Sequence, residues 1–138
     1  MEGPAVSTPE SSKEELDVFR QIQALLAEYL VQARDPLTPV VDYLEPASLA
    51  KRFDFSLPET GATNAALPAL VRDYLEHSVR SANPRFFNQL FGGFLLPGVV
   101  GEHVAAVTNT SMYTYECAPM VTLMEAAVVE EMARLVGF

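Results

Sequence analysis

Apolar residues recur at helical spacing near the start of the chain. Ser11 with Glu14, or Ser12 with Glu15, has the spacing of a capping box, which predicts where a first helix begins. Seven apolar positions then follow one helix face: Val18, Phe19, Ile22, Leu25, Leu26, Tyr29 and Leu30. Because proline disfavours helix at the residue before it, this helix should end before Pro36. The apolar stripe indicates a helix that packs against other protein.

The same pattern predicts four further helices. A short one is expected over residues 47–53, directly after Pro46, which suits a first helical turn. A third helix carries its apolar face at six positions: Leu67, Leu70, Val71, Tyr74, Leu75 and Ser78. Helical spacing returns over residues 97–108 and, more strongly, over 119–136, where Gly137 is the expected C-cap.

The intervening segments have loop composition. Residues 56–64 contain proline and glycine, and residues 83–93 place an Asn-Gln pair and a double glycine among aromatics, which indicates loop or short strand. The chain is therefore expected to be mainly α. The helices form either a self-contained bundle or a segment that normally covers or exchanges with a larger body, and the stop directly after a strong helix favours the second interpretation.

Composition places the chain among globular proteins, with 49% hydrophobic and 20% charged residues in a length of 138. Residues 1–12, rich in Ser, Pro and Glu, are expected to form a disordered leader. A net charge of −9 without any basic cluster argues against nucleic acid and anionic membranes as partners. A single cysteine, Cys117, excludes an internal disulfide and a cysteine-rich metal site. No signal peptide is visible, so a soluble, cytoplasmic protein is expected.

Few residues indicate chemistry by themselves. His77 and His103 stand among apolar residues, where a lone histidine is usually packed or solvated. No metal, nucleophile-elbow or phosphate-loop motif occurs. Asn88 and Gln89 lie beside aromatics, where a primary amide either orients a carboxylate through its N–H donors or caps backbone groups. Residues 109–116 precede a helix, and this turn either binds an anion or caps the helix.

Four stretches of the chain resemble one protein family. They are HSV at 77–79, NPRFFNQL at 83–90, NTSMYTYECAP at 109–119 and LMEAAVVEEMARLVGF at 123–138. Together they are similar to the group II pyridoxal-phosphate decarboxylases, the family of glutamate decarboxylase, cysteine sulfinate decarboxylase and their aspartate-decarboxylating relatives. The similarity is good from about Tyr74 onward and weak before it.

The resemblance implies an α/β fold of type I, the aminotransferase-like dimer, with its active site at the subunit interface. In such enzymes the N-terminal helices pack across the two-fold axis, so residues 13–82 are expected to be a helical, dimer-swapping segment. Residues 83–138 would supply the substrate-contacting loop and the entry helices of the large domain. The implied partners are the remainder of the decarboxylase chain, a second identical subunit and a small acidic amino acid, and the implied cofactor is pyridoxal 5'-phosphate.

The resemblance also assigns roles to particular residues. Gln89 matches the glutamine that hydrogen-bonds the distal acid group of the substrate, and Phe91 and Tyr113 match residues that line that end of the pocket. Asn88 is a further candidate for substrate contact. An aromatic ring at Phe91 shortens the pocket relative to a small hydroxyl residue, so cysteine sulfinate or aspartate is the expected substrate of this carboxy-lyase. A glutamate decarboxylase segment is the alternative.

Several positions depart from the family pattern. Asn83 stands where relatives usually have histidine, and Cys117 occupies an aliphatic position that suggests a small buried residue. The only lysines, Lys13 and Lys51, lie outside any Schiff-base motif, so the cofactor is expected to be bound mainly by parts outside this chain. No catalytic residue and no metal ligand is assigned here, and the chain alone is expected to be inactive. A non-catalytic helical dimerisation module derived from such an enzyme is the other interpretation.

Overall fold

The computed structural model describes residues 9–57, 59–88 and 90–138, and within these ranges the only regular structure is helical. A single 3-10 turn, Asn64–Ala66, precedes the third helix. The helices are α1 Pro9–Gln32, α2 Pro46–Arg52, α3 Leu67–Glu76, α4 Leu96–Thr108 and α5 Pro119–Val136. The prediction of a mainly α chain is therefore confirmed. No described helix is both long enough and apolar enough to cross a bilayer.

The chain forms two compact units that divide after Gly93. In the first unit, α1 packs against α3 and against the 3-10 turn. Val18 on α1 and Pro68 at the start of α3 are buried in this unit, and Ala33 is buried just beyond the end of α1. This packing fixes the two helices that carry the strongest apolar stripes.

Helix α1 begins earlier than its capping pattern predicts. The structure places its first residue at Pro9 rather than directly after Ser11 or Ser12. Proline is favoured at the first helical position because its fixed φ suits the helix and its missing N–H would have no partner there. Residues 1–8 of the expected leader lie outside the described residues.

The apolar face of α3 is divided between two environments. Val71 and Leu75 are half-buried, whereas Leu70 and Tyr74 are exposed. The predicted apolar face of this helix therefore lies only partly against the interior of the unit. A helix of this length turns its apolar residues over a wide arc, and α1 covers only part of it. The uncovered part faces a groove with Phe53 and His77.

In the second unit, α4 and α5 each begin with proline in the first turn and end at a left-handed residue. Asn109 follows α4 with φ 45°, and Gly137 follows α5 with φ 86°. The predicted C-cap at Gly137 is confirmed, since glycine adopts this conformation without a steric cost. No residue of α4 or α5 is buried within this unit. Both helices therefore present apolar side chains that the unit itself does not cover.

Candidate functional site

The segment 83–93 begins at a buried amide. Asn83 is only 3% exposed, and its side-chain nitrogen donates hydrogen bonds to the backbone oxygens of Asp35 and Thr38, each at 3.0 Å. Its side-chain oxygen accepts a hydrogen bond of 3.0 Å from the backbone N–H of Arg85. The Asn83 side chain thus joins the start of the segment to the turn that follows α1.

A second tie lies just before this point. The backbone N–H of Arg80 donates to the oxygen of Val40 at 2.8 Å. Its guanidinium donates to the oxygen of Pro39 at 3.1 Å and to a carboxylate oxygen of Asp42 at 2.9 Å. The Arg80 side chain is nearly buried, while the Asp42 carboxylate is partly exposed. We call residues 35–42 the supporting turn, because both Arg80 and Asn83 bind to it.

The far end of the segment returns to its beginning. Gly93 has φ 81°, and a Cβ atom placed on it would lie 2.9 Å from Cα of Ala82. Glycine is therefore required here both by the left-handed backbone and by the close approach of Ala82. Since Ala82 directly precedes Asn83, the two ends of the segment are in contact, as in a compact Ω-type loop. We call residues 83–93 the recognition loop.

The recognition loop presents its candidate residues outward. Asn88 is exposed and Phe91 is 65% exposed, and neither carries its side chain into the core of the first unit. Phe87 and Leu90 on the same loop are also exposed. Gln89 lies outside the described residues. The loop is thus fixed at its ends and open at its tip, the arrangement of a segment that contacts something beyond its own unit.

Tyr113 belongs to the second unit, in the connection between α4 and α5. Its side chain is 87% exposed. The carbonyl oxygen of Thr114 accepts hydrogen bonds from the backbone N–H groups of Cys117 at 3.2 Å and Ala118 at 3.0 Å, which forms a turn leading into α5. Cys117 is exposed, so the expectation of a buried cysteine was wrong for this unit. Its neighbour Ala118 takes the buried position instead.

His77 has a packing role, as its apolar surroundings predict. Its ring meets Phe53 edge-on with centroids 5.4 Å apart, and Nδ1 lies 3.1 Å from the backbone oxygen of Asp42, to which it donates as the Nδ1–H tautomer. Within the described ranges, no cluster of three or more His, Cys, Asp or Glu side chains is arranged to hold a metal ion.

Known proteins similar to this chain identify its family. Residues 46–138 match the pyridoxal-dependent decarboxylase conserved domain, a range that includes the recognition loop and both helices of the second unit. The chain belongs to this decarboxylase family. It corresponds to an N-terminal portion of the group II enzymes, as the sequence motifs indicate.

Relatives of this decarboxylase segment are long proteins. The chain is 30% identical to the acidic amino acid decarboxylase GADL1 of Xenopus tropicalis over its whole length, and 30% identical to human GADL1 over 95% of it. The alignment spans 26% and 25% of those two proteins, about a quarter of their length. The crystal structure of mouse CSAD matches 96% of the chain with a TM-score of 0.82 and 28% identity, and 27% of the CSAD chain is covered.

The structural match with CSAD confirms the predicted assignment to an N-terminal segment of a fold-type I enzyme. The family takes pyridoxal phosphate, which is held in such enzymes through a lysine Schiff base. The residues of this decarboxylase segment do not suit that role. Lys13 lies exposed on α1 and Lys51 exposed in the last turn of α2, both outside the recognition loop. No residue described here is therefore assigned to the cofactor.

Proposed function

We propose that this chain is the part of a pyridoxal-phosphate-dependent decarboxylase that recognises the side-chain acid of a short acidic amino acid, cysteine sulfinate or aspartate. The observation that carries the proposal is the recognition loop, which is closed at its ends by Asn83 and Gly93 and open at its tip. A loop of fixed base and exposed tip suits a binding role, because less order has to be gained when the substrate arrives. The GADL1 relatives, which are named acidic amino acid decarboxylases, support the substrate class.

In this proposal, Gln89 donates N–H hydrogen bonds to the distal acid group, and Asn88 is a second amide within the same loop. Tyr113 lines the same end of the substrate pocket in the assembled enzyme. The chain's residues bind and orient the acid, while bond cleavage belongs to the cofactor and to residues outside this chain. The assembled enzyme is proposed to be a cytoplasmic homodimer in which the rest of the decarboxylase chain completes the site.

Phe91 is proposed to set the length of acid that fits. An exposed phenyl ring two residues after Gln89 in sequence occupies space that a small residue would leave to one or two more methylenes of substrate. A misfit of one methylene costs about 1–3 kcal/mol in selectivity, which is enough to favour a four-carbon or shorter acid over glutamate. A glutamate decarboxylase segment is the alternative that this reasoning disfavours.

The second candidate function is a non-catalytic helical module that mediates dimerisation. The exposed apolar faces of α4 and α5 favour it, since uncovered apolar surface marks interfaces. The recognition loop favours the enzyme segment, because a pure dimerisation module has no need of two adjacent amides in the sequence of a loop with fixed ends.

The test of this function is a change of substrate ratio. In the assembled enzyme that contains this chain, Phe91→Ser should raise kcat/KM for glutamate relative to aspartate or cysteine sulfinate by about tenfold, because the restriction that it removes is steric. Phe87→Ser is the matched control, an exposed phenylalanine on the same loop that should leave the ratio unchanged. Equal losses for all three acids on Phe91→Ser would contradict the length-gauge role.

A further inference from the structure

We propose that Asn83 is a positioning residue for substrate recognition, which acts through the recognition loop and does not touch the substrate itself. The inference rests on the function proposed above and adds to it the group that holds the recognition loop in place. Asn83 is 3% exposed, and the three hydrogen bonds of its side chain account for both amide hydrogens and the oxygen. All polar atoms of its side chain therefore have partners within the first unit.

Only an amide satisfies all three partners at this position. The oxygens of Asp35 and Thr38 each accept one amide hydrogen of Asn83 beside a second donor, which is the N–H of Thr38 for the first and the Arg85 guanidinium for the second. The backbone N–H of Arg85 donates to the amide oxygen. A carboxylate would place negative charge against two carbonyl oxygens, and a methyl group would remove the acceptor of the Arg85 N–H and one donor from each oxygen. Such unsatisfied groups are costly, so the backbone would shift to find other partners.

A shift at Asn83 would reach the tip of the loop. Pro84 follows it and restricts the backbone, and the other end of the loop is pressed against Ala82 at Gly93. A loop with both ends fixed cannot absorb a displacement at one end without moving its middle, where Asn88 and Phe91 lie. Misplacement of binding groups by about 1 Å is sufficient to weaken recognition strongly.

Arg85 provides an independent tie on the exposed side. Its guanidinium donates to the oxygen of Thr38 at 2.7 Å, the same oxygen that accepts from Asn83. The Arg85 side chain is exposed, so its replacement leaves the buried bonds of Asn83 intact. One buried and one exposed side chain therefore donate hydrogen bonds to the same oxygen of the supporting turn. Each of these bonds can be removed by its own substitution.

The experiment measures KM and kcat of the holoenzyme for aspartate and cysteine sulfinate. Asn83→Ala should raise KM about tenfold, with kcat changed less than about threefold, since recognition and not chemistry is affected. Asn83→His, which keeps a ring N–H donor, should recover at least half of this loss on a logarithmic scale. Arg85→Met should raise KM about threefold, and Arg20→Met, an exposed arginine on α1, is the control that should change nothing.

If Asn83 only stabilised the fold, the kinetic result would differ from the one predicted here. Partial misfolding lowers the active fraction and thus the apparent kcat, but leaves KM at its original value. Unchanged KM in every folded variant would overturn the proposal. If Asn83→Ala does not fold, Arg85→Met decides the matter, because an unchanged KM in that folded variant would overturn the proposal.

Hydrogen–deuterium exchange separates this proposal from the function on which it rests. Residues 84–92 of the holoenzyme should exchange faster in Asn83→Ala than in the original protein, whatever the substrate. If the original holoenzyme decarboxylates none of these acids, the proposed function is rejected. Faster exchange in Asn83→Ala would in that case still show that Asn83 holds the recognition loop in place. Normal turnover by the original enzyme, with unchanged KM and exchange in the variant, would reject only the role of Asn83.

Discussion

Side chains that hold the recognition loop differ from those that the loop presents. Asn83 and Arg80 are buried and bind backbone oxygens of the supporting turn, whereas Asn88 and Phe91 are exposed. Arg80 and Asn83 lie before and at the start of the loop, and the exposed groups lie farther along it. Substitutions of the two groups should accordingly differ in kind, since the buried ones affect placement and the exposed ones affect contact.

Gln89→Ala should reduce kcat/KM for aspartate and cysteine sulfinate by about tenfold or more. A hydrogen bond to a charged group contributes about 1.5–3 kcal/mol, and the proposed bond to the substrate acid is of this kind. The free energy of unfolding should be nearly unchanged. Steady-state kinetics of the holoenzyme and denaturant titration measure the two quantities, and a variant with unaltered kcat/KM would remove Gln89 from the site.

The sequence predicted the candidate contact residues, but it did not predict the residues that hold the recognition loop in place. PRFFNQL and NTSMYTYE are long, specific motifs, so a resemblance assigns roles to Gln89, Phe91 and Tyr113. The bonds of Asn83 and Arg80 join positions separated by about forty residues in sequence. No local periodicity reveals such pairs, and the substitution of the usual histidine by Asn83 was the only sequence signal at this place.

Helix ends were predictable where local chemistry decides them. Helix α5 runs from Pro119 to Val136 as its pattern predicts, because proline suits the first turn and Gly137 suits the left-handed cap. The predicted start of α1 was wrong. The sequence offers two capping boxes, at Ser11 and Ser12, but the helix begins at Pro9. The division of the apolar face of α3 into half-buried and exposed residues was not predictable from sequence. It depends on how α1 and α3 pack, which decides how much of this face α1 covers.

Helix α1 is also tied to the segment after α3 by Tyr29. Its hydroxyl donates a hydrogen bond of 3.1 Å to the backbone oxygen of Val79. Burial raises the pKa of Tyr29 above its ordinary value, with a smaller raising effect from Tyr74 and an opposing effect from Arg80. A raised pKa in the folded state stabilises the fold fully at neutral pH, and this contribution is lost as pH rises through the folded pKa, above about 10.

Tyr29→Phe should therefore lower the free energy of unfolding by about 0.5–1.5 kcal/mol at neutral pH, through loss of one hydrogen bond. The difference from the original protein should shrink above about pH 10, because the original tyrosine then loses its proton and its donor. Urea titrations of both proteins at neutral and alkaline pH give the comparison. A difference that is constant with pH would show that the Tyr29 hydroxyl contributes nothing through this bond.

Both units expose many of their large apolar side chains. Leu16 and Phe19 on α1, Leu70 and Tyr74 on α3, and most apolar residues of α4 and α5 are exposed. Large exposed apolar patches are rare on monomeric proteins and mark interfaces. This agrees with a segment that spans about a quarter of the GADL1 relatives.

The isolated chain should consequently associate in dilute solution. Sedimentation analysis should show species larger than a monomer, and Leu70→Lys should reduce their amount, since it places a charge on the uncovered face of α3. Arg72→Lys on the same helix is the control and should leave association unchanged. A monodisperse monomer with the faces of α1 and α3 protected from hydrogen exchange would show that the chain covers its own stripes.

The most direct measurement is the release of carbon dioxide from carboxyl-labelled acids, by the isolated chain and by the assembled holoenzyme side by side. The holoenzyme should release it faster from cysteine sulfinate or aspartate than from glutamate. The isolated chain with added pyridoxal phosphate should not exceed the protein-free control, because its only lysines, Lys13 and Lys51, lie outside any Schiff-base motif. Turnover by the isolated chain, or a holoenzyme that prefers glutamate or uses none of these acids, would contradict the account.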